Sequence, residues 1–223
     1  MSLPGTNPIL ATVVPLTTAD TGLADAGIFY TAIEATPGVT GIIGPVSTAL
    51  DDTKALMSVY NGGAMTIFPK FLRLHVYTIG TTGTRVHFTQ AIDTAPNRYS
   101  SGGSALVVAN TNMTQPTNAA LAQIQFGALT LTAASGSRRY IHNTTYKATA
   151  IETAEDCYQF SWGGSTQLED PASLSNVAAA LSNVAFNFAP VAIGPQQSFL
   201  IHQWRASITV GITFGVEFGF TAK

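Results

Sequence analysis

From Ile208 to Thr221 the apolar side chains fall on every even position: Ile208, Val210, Ile212, Phe214, Val216, Phe218 and Phe220. The odd positions hold Thr209, Gly211, Thr213, Gly215, Glu217, Gly219 and Thr221. Period two sets one face of a β-strand against a core and leaves the other small or polar. At roughly 3.3 Å per residue this run spans about 45 Å, longer than a usual strand, so Gly211, Gly215 and Gly219 are predicted sites of bending or close approach. Such a strand needs partners on both edges and a second layer over its face.

The same alternation recurs upstream. It predicts strands over Gly27–Ala35, Ala55–Tyr60, Thr66–Thr78, Thr84–Asp93, Ser104–Ala109, Ala122–Thr132, Arg138–Lys147, Asp156–Trp162, Val184–Phe188 and Ser198–Trp204. Thr66–Thr78 and Thr84–Asp93, separated by Gly80-Thr81-Thr82-Gly83, read as a hairpin. Ala122–Thr132 and Arg138–Lys147 are expected to pair across Ser135-Gly136-Ser137. Residues 171–182 carry Leu174, Val177 and Leu181 at helical spacing and predict one short helix. Repeated short strands with little helix indicate an all-β domain, a sandwich or barrel, over residues 23–223. Ahead of it, Pro4, Gly5, Pro8, Pro15 and Gly22 surround an apolar run. They predict an extended N-terminal arm over residues 1–22, because proline removes backbone donors. Ile9, Leu10, Val13 and Val14 of that arm are expected to pack on a neighbour rather than on the core.

Composition changes the picture in one respect. Only 10% of residues are charged, against about 25% in ordinary soluble domains. The formal net charge is −2, and no basic stripe is present to displace counterions, which argues against a nucleic-acid partner. Hydroxyls take the place of charge, with 30 threonines and 15 serines. A nearly neutral surface favours association, so much of it is expected to be covered by other subunits. The single cysteine, Cys157, excludes an intrachain disulfide. Neither a signal peptide nor a membrane span is read in the sequence.

The candidate chemistry is sparse. His75, His87, His142 and His202 form no H-x-H or H-x-x-x-H pair, although His75 and His87 are placed to face each other across the predicted hairpin. A cupin-like metal centre needs three or four clustered ligands, and the acidic partner is missing. No nucleophile elbow or phosphate loop occurs, and Cys157 is expected to be a buried inert thiol. Asp51, Asp52, Glu169 and Asp170 are the carboxylates available for paired acid–base work, all in predicted loops. The segment Asn97-Arg98-Tyr99-Ser100-Ser101-Gly102-Gly103-Ser104 is too polar and glycine-rich for a predicted strand. It presents Asn97, Arg98 and Tyr99 as interface residues, Arg98 and Tyr99 being of types enriched in contacts.

Four stretches occur in order: Tyr60-Asn61-Gly62-Gly63; Phe71-Leu72-Arg73-Leu74; Asn97 to Ser104 with Ala105-Leu106; and Ile193-Gly194-Pro195-Gln196-Gln197-Ser198. Over roughly residues 27–205 this pattern resembles small virion structural proteins of tailed bacteriophages, of the capsid decoration or cement kind. The resemblance implies a jelly-roll-like sandwich and synthesis in the bacterial host cytoplasm. It also implies a place on the capsid surface, with the major capsid protein lattice as partner and assembly as a homotrimer. It supplies no catalytic residues, and no cofactor, metal or small-molecule substrate is expected. Two rival expectations remain. One is a carbohydrate- or receptor-binding module of a fibre or tail, with Trp162 and Trp204 as sugar platforms; the other is a cupin-like metalloenzyme.

Overall fold

The computed structural model describes residues 19–38, 41–78, 86–134, 136–146, 157–163, 183–205 and 208–223. A short helix, α1 (Ala19–Asp25), precedes β1 (Phe29–Ile33), β2 (Ile42–Ile43), β3 (Lys54–Asn61), β4 (Ile67–Thr78) and β5 (Val86–Asp93). There follow β6 (Tyr99–Ala105), β7 (Val107–Asn110), β8 (Ala122–Leu131), β9 (Arg138–Tyr146) and β10 (Cys157–Trp162). The remaining strands are β11 (Asn183–Phe188), β12 (Ser198–Trp204) and β13 (Thr213–Ala222). They form two sheets. One runs β11-β10-β4-β13-β1-β7, with β2 also on β13; the other runs β6-β8-β3-β12-β5-β9.

The strand order answers the fold question. β1, β13, β4 and β10 are consecutive in the β13 sheet, and β3, β12, β5 and β9 are consecutive in the β12 sheet, all antiparallel. In chain order the path crosses between sheets from β1 to β3, β3 to β4, β4 to β5, β9 to β10, β10 to β12 and β12 to β13. This is the eight-strand, double Greek-key arrangement of a jelly roll. β6, β7 and β8, inserted between β5 and β9, widen both sheets.

Crossing between sheets overturns both predicted hairpins. β4 pairs with β10 and β13, whereas β5 pairs with β12 and β9. β8 pairs with β3 and β6 rather than with β9. An alternating pattern is the same whether a strand turns back beside its neighbour or crosses to the facing sheet, so it fixes which face is buried and not which strand lies alongside.

The core lies between the sheets. From β13 come Phe214, Val216, Phe218 and Phe220, all buried, and Ile212 joins them just ahead of the strand. Rings from opposite sheets meet edge-on: Phe88 with Phe160 at 5.0 Å, Trp162 with Phe199 at 5.7 Å and Phe126 with Phe214 at 6.2 Å. Each such side chain contributes on the order of 1.5–3 kcal/mol by leaving water. The Trp162 indole N–H donates to the Gln90 Oε1 at 2.8 Å, so the one polar atom of that ring is also satisfied across the interior.

Two boundaries differ from the predicted ones. The long C-terminal run is a strand only from Thr213, and Val210 is 55% exposed despite its even position. Residues before Thr213 turn against the backbone at Gly44, whose N–H donates to Ile212 O at 2.7 Å, and a Cβ on Gly211 would overlap the Gly44 carbonyl. At the other end, residues 19–22 of the predicted extended arm belong to α1. Its end is fixed by Gly27 at φ 69°, with Gly27 N–H donating to Ala24 O and Ile28 N–H to Leu23 O, a Schellman closure. The rest of the arm, with Ile9, Leu10, Val13 and Val14, lies outside the described residues, as do the predicted helix over 171–182 and the turn over 80–83.

Candidate functional site

The segment singled out around Arg98 is neither a loop nor outward-facing at its charge. Tyr99–Ala105 is the edge strand β6, whose pairing with β8 is interrupted by two register shifts. Irregular pairing of this kind is what lets a Ser- and Gly-rich stretch serve as an edge. Arg98 is buried, and its Nε–H donates to the Asp93 Oδ2 at 3.1 Å while Nη2 donates to Ser137 Oγ at 2.8 Å. Arg138 reaches the same carboxylate oxygen at 3.3 Å, and Ser137 Oγ–H donates to Asp93 Oδ1 at 2.6 Å. The expectation that Arg98 anchors an outside contact is therefore corrected: a buried carboxylate draws the guanidinium inward. Asn97 stays exposed and accepts from the Tyr99 N–H. Tyr99 packs on a small apolar cluster of Ala55, Ala91, Leu129, Leu131 and Leu200.

Burial alone would raise the Asp93 carboxyl. Hydrogen bonds from Ser137 and Ala95 and the charges of Arg98 and Arg138 outweigh it and hold the group below the usual carboxylate range. An acid held ionised by two arginines is a structural clasp, unsuited to donating a proton near neutrality.

Residues 46–52, Lys54 and Tyr140 line an open cleft of about 600 Å³ on the β12 sheet. The segment is tied to the sheet by Arg205 N–H donating to Ser47 O at 2.9 Å and Leu131 N–H donating to Thr53 O at 2.7 Å. Beneath it His202 is buried, and its Nδ1 donates to Lys54 O at 2.7 Å. Burial pushes this imidazole down, against the opposing pull of the Lys54 carbonyl, and keeps it neutral at pH 7. In the cleft the carboxylates are engaged locally. Asp51 Oδ1 accepts from the Thr53 N–H and hydroxyl, which lower its pKa, and Asp51 Oδ2 lies 3.7 Å from Lys54 Nζ. Asp52 Oδ2 accepts from the Ala134 N–H. A lowered Asp51 is the wrong direction for a general acid. Glu169 and Asp170 lie outside the described residues.

The four histidines are dispersed. His75 is exposed on the outer face of the β13 sheet, and His87 lies on the outer face of the β12 sheet, so the expected juxtaposition across a hairpin does not occur. His142 packs against Phe188 at 5.0 Å, and its pKa is pushed down by burial. Among the described residues, no group of three or more His, Cys, Asp or Glu side chains converges as a metal site would require. Trp162 is in the core, and Trp204 carries His87 stacked on it at 3.7 Å and 3°. The exposed aromatic at the cleft is instead Tyr140. Cys157 is half-buried on β10 with its thiol pushed up by burial, the unreactive state.

Two of the sequence stretches that carried the resemblance meet at one end of the sandwich. Asn61 N–H donates to Gln197 O and Gln196 N–H donates to Asn61 O, both at 2.9 Å; the Asn61 side-chain amide donates to Ile193 O and Met65 O, and Tyr60 Oη bonds Gln196. Their shared role is to fasten the entry of β12 to the exit of β3.

The outer faces of the two sheets differ in a way no sequence pattern announced. On the β12 sheet Ala55, Ala91 and Leu200 are fully buried beneath the chain's own residues. The β13 sheet is open. Its outward residues include Ile33, Tyr77 and Val107, exposed, with Phe29, Thr31, Phe71, Cys157 and Gln159 half-buried. The glycines of β13 are not vacant there, because a Cβ on Gly219 would overlap Phe71 and one on Gly215 would overlap Tyr77. The predicted close approach is thus made by rings of β4 at Gly215 and Gly219, and by the Gly44 backbone at Gly211, ahead of the strand. No known protein-family model, curated protein or solved structure matches the chain.

Proposed function

We propose that the protein is a structural virion protein of a tailed bacteriophage and not an enzyme. In this reading it is a capsid decoration or cement protein that binds the major capsid protein lattice, stabilises the head and assembles as a homo-oligomer, a trimer. The observation that carries the reading is what the chemically capable side chains are engaged in. Asp93, Asp51, His202 and Trp162 each bond to a neighbour in the chain, and His87 is stacked on Trp204. Polar groups engaged in fastening strands and loops, as these are, fit a protein whose work is its shape and surface. The jelly-roll strand order and the joined motifs of residues 60–63 and 193–198 support it, while fold alone does not assign function.

Mass spectrometry of purified virions is the test. The chain is expected in the particle at a copy number comparable to that of the major capsid protein, and its absence from virions would sink the reading. A handful of copies would move it to the tail or vertex. The cleft beside Tyr140, which is 48% exposed, favours the second reading, a glycan- or receptor-binding module of a fibre or tail. On that reading Tyr140→Ala abolishes binding to a host-surface glycan array.

A further inference from the structure

We infer that the open outer face of the β13 sheet is the surface through which this chain contacts a second copy of itself, face to face about a twofold axis; this rests on the homo-oligomeric reading above and not on its threefold symmetry. The face is broad. β13 has ten residues, and six strands lie along the sheet path. At about 3.3 Å per residue and about 4.8 Å between strands, the six strands of the path, four to twelve residues long, offer on the order of 700 Å². A standard interface covers about 800 Å² on each partner.

The character of the face fits a copy of itself. Ile33 and Val107, 39% and 50% exposed, are direct cross-strand neighbours at one side. Phe71 and Tyr77 fill the positions above the β13 glycines and level the surface. Thr31, Gln159, Ser161 and Thr213 supply uncharged hydrogen-bonding groups. Arg73 and Glu217 stand together on the face, 3.2 Å apart. One charge of each sign makes it self-complementary, since two copies meet without like-charge excess, and burying the pair leaves neither partner alone. Among the described residues the opposite sheet shows no comparable surface, because its central outward residues Ala55, Ala91, Leu200 and His202 are buried.

The experiment measures mass by light scattering and, in parallel, the maleimide labelling rate of Cys157, the only thiol of the chain and a residue of this face. Wild-type protein is expected to run as a multiple of 23.3 kDa with Cys157 shielded. The variant His75→Glu/Val107→Glu places two negative charges on exposed positions of the face and is expected to weaken self-association about a hundredfold. Its mass falls to that of one chain, and labelling of Cys157 accelerates. Gln123→Glu/Thr130→Glu puts the same charge on exposed positions of β8 and is expected to keep the wild-type mass. A cooperative unfolding transition establishes that each variant folds, the face variant melting lower only by what association contributed. If the wild type is oligomeric and the face variant keeps its mass, the face is wrong and the oligomer stands. A wild type that remains one chain at high concentration overturns both. A single chain whose Cys157 is shielded only when capsids are added gives the face to the capsid protein and overturns the inference.

Discussion

Asp93 is the residue whose removal is expected to cost most. It is fully buried, and among the described residues it is the carboxylate paired with Arg98 and Arg138. Asp93→Asn leaves two guanidiniums without their counter-charge and is expected to lower stability by about 3–5 kcal/mol. For a chain of this size that lowers the melting temperature by roughly 6–20 °C in a thermal unfolding scan. The pH dependence follows from the direction of the shift. The Asp93 carboxyl is held below its unfolded value of about 3.9, so its contribution is present above that pH and is lost as pH falls through the folded value. His202 acts in a higher window. Its folded value lies below the unfolded value of about 6.5, so the stability gained from keeping it neutral is present above that pH and declines as pH drops beneath it. Urea midpoints measured from pH 7 to pH 5 are expected to fall in the wild type. In His202→Gln they fall less steeply, with the remaining slope due to His142, whose value burial also lowers.

At the scale of elements, β13 and β4 act as a unit because the rings of one occupy the glycine positions of the other. Gly219→Val is expected to displace Phe71 and destabilise by about 1–3 kcal/mol. Combining it with Phe71→Ala should recover part of that loss, and additive losses in a double-mutant cycle would contradict the contact. These elements also mark how far the sequence could be read. The even positions 212 to 220 named the core face of β13 correctly, and nearly every predicted strand is present within a few residues. What alternation did not carry is partnership. β4 and β5 look like a hairpin because each has one apolar face, but their apolar faces oppose each other from different sheets. β6 was hidden because an edge strand with register shifts needs no apolar alternation at all. Arg98 was misplaced for a related reason: its attraction is to Asp93, five residues back in sequence, and only folding shows that this carboxylate is buried.

For the whole molecule, low charge and an open sheet face belong together. A surface with 10% charged residues has little to keep copies apart, and the face that the described residues leave open is the one on which they are expected to meet. The proline-rich arm is proposed as a separate attachment element. Deleting residues 2–16 is expected to leave a folded sandwich, by circular dichroism and melting curve, that binds its partner poorly. A truncated chain that does not fold would return the arm to the core.

β12 and β13 follow the other eleven strands of the described residues, yet each sits in the interior of its sheet, β12 between β3 and β5 and β13 between β4 and β1. Until residues 198–222 are available, neither sheet can close, and four earlier strands hold unsatisfied edges. Pairing over such sequence distances is slow because loop closure precedes any reward. The sandwich therefore has to wait for residues 198–222 before it can fold cooperatively, and a fragment ending at residue 195 is expected to show no sigmoidal unfolding transition and to aggregate through those edges. Synthesis order, rather than local propensity, sets when this protein acquires its shape.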